Sequence, residues 1–121
     1  MTDRATENDL TAQRVGQNQS TFRAANEEIL AAAQEIAAEV RRVPFICECP
    51  DTRCTTIVRL ALGEYEAIRA HGTHFAVAEG HEVCVVDGQE VARIHDRREG
   101  HTIMEKLGAA GAEARRLDPR S

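Results

Sequence analysis

The chain has 121 residues, 42% hydrophobic and 29% charged, the balance of one folded domain rather than of a disordered or membrane-spanning chain. Aromatics make up only 3%, so a core of Ala, Val, Ile and Leu forgoes the large buried areas of aromatic rings, and an added staple would help it. A net charge of -5 repels phosphate backbones and argues against sequence-independent nucleic-acid binding; with no apolar leader or spanning stretch, no membrane association is expected and the expected location is the cytoplasm.

Residues 1–19 hold only Leu10 and Val15 as sizeable aliphatics, too little to offset the entropy of ordering, which predicts a mobile N-terminal arm. Phe22, Ala25, Ile29, Ala33, Ile36 and Val40 then recur at three- and four-residue steps and predict an amphipathic helix over 20–40. Ser20 is its expected N-cap, Arg41 and Arg42 suit its C-terminal dipole, and Pro44 ends it. Residues 45–49 predict a strand with Phe45, Cys47 and Cys49 on one face and Ile46 and Glu48 on the other, broken by Pro50. A second strand is expected over 57–62. A short helix follows over 64–70, with Glu64 and Glu66 set against its dipole and Gly72 as a left-handed cap.

Strand patterns at 75–78 and 83–86 lead to an Asp87-Gly88 turn signal. Residues 91–95 and 101–106 flank Arg97-Arg98-Glu99-Gly100 as the arms of a hairpin, and the Gly- and Ala-rich run after Leu107 allows a weak helix stopped by Asp118-Pro119. The expected fold is α+β: an N-terminal amphipathic helix packed on a small antiparallel sheet with one inserted short helix, stapled by zinc. Its domain would span 20–112, with 113–121 a flexible tail.

The four cysteines, in a reducing compartment, read as metal ligands or buried thiols before they read as a disulfide framework. Cys47, Cys49 and Cys54 form a C-x-C-x4-C cluster. Zinc–thiolate bonds of about 2.3 Å set two sulfurs roughly 3.8 Å apart, whereas residues two apart in a strand have alpha carbons separated by about 6.6 Å. The pair must therefore converge where the strand bends, as Pro50 requires, and the 50–53 loop can return Cys54 toward it. Candidates for a fourth ligand are His81, Cys84, His74, His71, His95 and His101. His81 is preferred because Gly80 gives its backbone latitude and Glu82 is placed to orient the ring. Cys84, in the apolar Val83-Cys84-Val85-Val86, is the runner-up, and a Cys49 to Cys54 disulfide is the competing use of two of the thiols.

The assembled motifs Phe22-Arg23, Asn26-Glu27, Phe45-Ile46-Cys47-Glu48-Cys49, Cys54, Glu64-Tyr65-Glu66-Ala67-Ile68-Arg69, Gly80-His81-Glu82 and Asp118-Pro119-Arg120 resemble a group of small uncharacterised actinobacterial proteins. The likeness runs from about residue 22 to the end. It implies the ligand set Cys47, Cys49, Cys54 and His81 around one Zn2+ per chain, leaves Cys84 outside the shared pattern, and carries no activity with it. The C-x-C start is also similar to SWIM-type zinc modules, whose later C-x-H pair is missing.

No catalytic signature accompanies these residues. His81-Glu82 lacks the second histidine of H-E-x-x-H, position 85 being Val85, and no phosphate loop or serine elbow is present. A shell of three sulfurs and one nitrogen also leaves no open position for water. The leading expectation is a non-enzymatic interaction or regulatory module that meets another protein rather than nucleic acid. A thiol-based redox or metal-responsive sensor is the alternative, and a small metalloenzyme the third reading.

Overall fold

The computed structural model describes the backbone of residues 3–36 and 42–120, and the side chains within 10–34 and 42–120. Its first element is a long helix, α1 (Asp3–Ile36), which takes in residues 3–19 of the expected N-terminal arm, and Ser20 lies inside the helix rather than capping it. The aliphatic content of that stretch is low, but Ala12 and Val15 are buried at 1% and 5% exposure. The partner that makes this burial productive is the last helix, α3 (Gly108–Arg116), where Ala110 and Ala114 are buried in turn. At Gly16 the helices approach so closely that an added Cβ would lie 2.9 Å from the Ala110 carbonyl oxygen. Glycine inside a helix costs about 0.5–1 kcal/mol, here offset by that approach. The expected end of the helix near residue 40 lies outside the described residues.

The face that α1 buries is also turned by one position from the expected one. Gln19, Arg23, Asn26, Leu30 and Ala33 are buried, while Phe22, Ala25 and Ile29 sit half-buried at its edges. Polar residues on an inward stripe are tolerated only with internal hydrogen-bond partners, and the next segment supplies them.

Strands β1 (Val43–Ile46) and β2 (Ile57–Leu60) pair antiparallel with Val43 opposite Leu60. Helix α2 (Leu62–Arg69) follows, and Glu64 in its first turn accepts the Ala61 N–H at 2.8 Å. It ends through Ala70, whose N–H meets the Glu66 carbonyl, so Gly72 does not serve as a left-handed cap; the described glycines with positive φ are Gly80, Gly88, Gly100 and Gly108.

Next come β3 (His74–Ala78), the two-residue strands β4 (Val85–Val86) and β5 (Gln89–Glu90), then β6 (Ala92–Arg98) and β7 (His101–Lys106). Asp87 and Gly88, at φ of 51° and 77°, make the tight turn between β4 and β5. This is the left-handed pair that a two-residue hairpin needs. The main sheet has the order β3-β7-β6, all antiparallel, and its ladder slips between Ile94 and Asp96. The architecture is α+β, with three helices and small antiparallel sheets among the described residues.

The described part of the expected C-terminal tail, 113–120, makes contacts with the rest of the fold. Glu113 and Ala114 are buried within α3, and Arg120 binds Glu27 at 2.7 Å and also pairs with Glu66. Arg69, its side chain fully buried, joins the same clasp through Glu27 at 2.7 Å and Asp118 at 2.5 Å. Among the described residues no helix is long and apolar enough to cross a membrane.

Candidate metal centre

Beyond Ile46 the chain leaves regular strand geometry but keeps two anchors. Cys47 N–H donates to the Thr56 carbonyl at 2.9 Å, and Glu48 N–H to the Ala76 carbonyl at 2.8 Å, so residues 47 and 48 are wedged between β2 and β3. The turn that follows is closed by Asp51, whose carbonyl accepts from Cys54 N–H at 3.0 Å and whose carboxylate accepts from Arg53 N–H at 2.9 Å. That turn carries Cys54 back beside Cys47 and Cys49.

The opposing wall is the loop after β3. His81 N–H donates to the Ala78 carbonyl at 3.0 Å, and Gly80 at φ 86° makes the reversal that a side chain would disfavour. The His81 Nδ1 then lies 3.6 Å from Cys47 Sγ and 3.5 Å from Cys54 Sγ. One donor atom from each of Cys47, Cys49, Cys54 and His81 falls within 4.8 Å of the others, a group that can hold a metal ion. Glu82 has a different job from the one expected. Its carboxylate accepts from Gly80 N–H at 3.1 Å and from the Thr102 hydroxyl at 2.6 Å, which fastens the loop to β7 rather than steering the His81 ring.

Electrostatics divide the three thiols. Burial pushes Cys47 up to about 12, despite the Ala78 N–H that points at its sulfur from 3.2 Å, and burial raises Cys49 as well. Burial also opposes ionisation of Cys54, but hydrogen bonds from the Thr56 backbone and hydroxyl, from Cys49 and from His81 outweigh it and bring the thiol down to about 7. Two buried thiols that resist ionisation, crowded beside a third that ionises readily, are a setting that a cation of high charge and thiolate affinity would relieve.

All four cysteines are free thiols, so the Cys49 to Cys54 disulfide is not formed. Cys84 stays outside the cluster, half-buried against the apolar core, its carbonyl taking the Val91 N–H at 2.8 Å. His71, His74, His95 and His101, the other candidates for a fourth ligand, gather instead on a separate cavity beside α2. The arginine doublets form no basic patch among the described residues: Arg97, Arg98 and Arg116 pair with Glu82, Asp96 and Glu113.

Next to the cluster stands a feature that sequence reasoning missed. Glu48, between the two leading cysteines, is fully buried. Its Oε1 accepts from Arg23 at 3.2 Å and Ala76 N–H at 2.9 Å, and its Oε2 from Asn26 at 3.0 Å and the Tyr65 hydroxyl at 2.7 Å. Gln19 donates to the Glu48 carbonyl at 2.9 Å, Arg23 also to the His74 carbonyl, and the Arg23 guanidinium lies 3.8 Å over the Phe75 ring. The signal was available as Gln19, Arg23 and Asn26 at steps of four and three, a helical stripe masked by the apolar residues beside it. Residues 47–49 thus point sulfur toward one centre and carboxylate toward another, and the hydrogen bonds on Glu48 hold the thiol-bearing backbone in place.

Compared with protein-family models, curated proteins and solved structures, the chain matches none.

Proposed function

We propose that the protein is a small zinc-stapled, non-enzymatic interaction or regulatory module of the cytoplasm, with Cys47, Cys49, Cys54 and His81 holding one Zn2+ per chain. The observation that carries this reading is the convergence of three sulfurs and one imidazole from segments about thirty residues apart, within 4.8 Å of one another. Soft thiolates with one imidazole suit zinc over magnesium, calcium or manganese, and four protein ligands complete its tetrahedron without an exchangeable water. The resemblance to the small actinobacterial proteins favours the same four ligands. A closed shell makes the ion a structural element, and the surface it fixes is offered to a protein partner rather than to a substrate.

The test is hydrogen exchange with and without a strong chelator. Loss of metal is expected to unprotect the amides of 47–56 and 78–84 first and the Glu48 surroundings next. Protection that is unchanged by the chelator would contradict a structural role.

A second reading, a thiol-based redox sensor, is favoured by one detail: Cys54 is half-exposed while Cys47 and Cys49 are buried. A peroxide that accepts two electrons would leave as water and join Cys49 to Cys54 as a disulfide, expelling the ion. Zinc release at mild peroxide, reversed by a thiol reductant, separates the sensor from the static module.

A further inference from the structure

The five histidines divide unequally. His81 belongs to the thiol cluster, and the other four line one cavity of about 390 Å³ between α2 and the outer face of the main sheet. Their arrival there follows from register. His74 lies opposite Glu105 on β7, and Glu105 lies opposite Arg93 on β6, so these three side chains share a face. His95 is the extra residue at the slip between Ile94 and Asp96. A bulge of this kind turns two consecutive side chains to one side, and here both His95 and Asp96 reach the cavity.

The outcome is a row of imidazoles, with ring centroids 4.5 Å apart for His71 and His74 and 4.3 Å for His74 and His95. One donor atom from each of His74, His95 and Glu105 lies within 4.8 Å of the other two. We propose that His74, His95 and Glu105 form a second metal site, one that takes a divalent transition-metal ion of borderline softness and turns its remaining coordination positions toward the cavity.

The donor set carries this assignment. Two imidazoles and a carboxylate suit zinc, nickel, cobalt or ferrous iron, and with three protein ligands the coordination shell stays open. Bonds of about 2.0–2.2 Å place neighbouring ligand atoms roughly 3.3 Å apart, so closure needs the exposed His95 ring to swing inward onto the buried His74. Glu105 gives one oxygen to Arg93 at 2.7 Å and keeps the other for the ion. The two sites differ in kind, sulfur-rich and closed against nitrogen-and-oxygen and open.

Titration of the full-length, reduced protein with Co2+ reads the two apart. Cobalt on the thiol cluster gives an intense sulfur-to-metal charge-transfer band, whereas cobalt at the histidine site gives only weak visible bands. The expected result is a second equivalent that adds no charge-transfer intensity. His95→Ala, at an exposed ring, should abolish that equivalent and leave the sulfur band and the melting temperature unchanged. Arg93→Ala, by releasing the Glu105 carboxylate, should tighten it. Absence of a sulfur-free equivalent, or its survival in His95→Ala, overturns the proposal. Loss of the sulfur band alone contradicts the thiol-bound zinc and leaves the second site standing.

Discussion

Two centres share the three-residue stretch Cys47-Glu48-Cys49 and face opposite ways, and they are finished by different means. On one side Glu48 receives four hydrogen bonds, from Arg23, Asn26, Tyr65 and Ala76, all supplied by the chain. On the other side the sulfurs of Cys47 and Cys49 are pushed by burial toward the neutral thiol, with Cys54 and His81 closing over them. A buried carboxylate can be satisfied by amides, hydroxyls and a guanidinium, because each brings a hydrogen. A nest of sulfurs has few hydrogens to offer, and in our proposal a cation completes it. The polypeptide encodes the first centre entirely and supplies for the second three sulfurs and one imidazole that could hold a metal ion.

The largest effect should come from emptying the thiol centre. Structural zinc is worth on the order of 10 kcal/mol at neutral pH, the scale of a domain's whole net stability. Cys47→Ser is therefore expected to abolish cooperative melting in circular dichroism, while Cys84→Ser, outside the cluster, leaves the transition intact. The neighbouring centre ranks next. Glu48→Ala strands the buried Arg23 and should cost about 3–5 kcal/mol by urea denaturation, with the metal still bound in what remains folded. If Glu48→Ala instead proves neutral, the carboxylate is not the support of the thiol-bearing backbone that we describe.

A third variant probes a buried charge. Lys106 is 3% exposed, and burial, aided by the nearby Arg23, brings its ammonium down to about 7. A lysine whose folded pKa is lowered binds fewer protons folded than unfolded between about 7 and 10.5, so the protein gains stability as pH rises through that window. Lys106→Met should raise the melting temperature at pH 6, and the gain should shrink as pH approaches 10. A pH-independent difference would place the ammonium in water instead. Smaller effects remain. Tyr65→Phe removes one of four donors from Glu48 and should cost about 1–2 kcal/mol. Arg120→Ala breaks a clasp that is 37% exposed on the arginine side and should cost under about 1 kcal/mol.

How much of this was readable beforehand depended on whether the cause was local. The gathering of Cys47, Cys49, Cys54 and His81 was legible because ligand chemistry acts through residue type and short spacings, with Pro50 and Gly80 marking where the backbone must turn. The Asp87-Gly88 hairpin was legible for the same reason. The helical start of the chain was not, since Ala12, Val15 and Gly16 acquire meaning only against Ala110 and Ala114, about a hundred residues away. Nor was the inward stripe of α1, because hydrophobic periodicity follows Phe22, Ala25 and Ile29 and has no means of ranking Arg23 and Asn26 as core. The convergence of His74 and His95 depends on strand register and a single inserted residue, which composition and period leave undetermined.

Native mass spectrometry of reduced protein, purified without added metal and passed over a mild chelator to clear weak sites, addresses the central claim most directly. The account predicts one zinc per chain, absent from His81→Ala and retained by Cys84→Ser. A metal-free wild-type chain that is compact and melts cooperatively would contradict it.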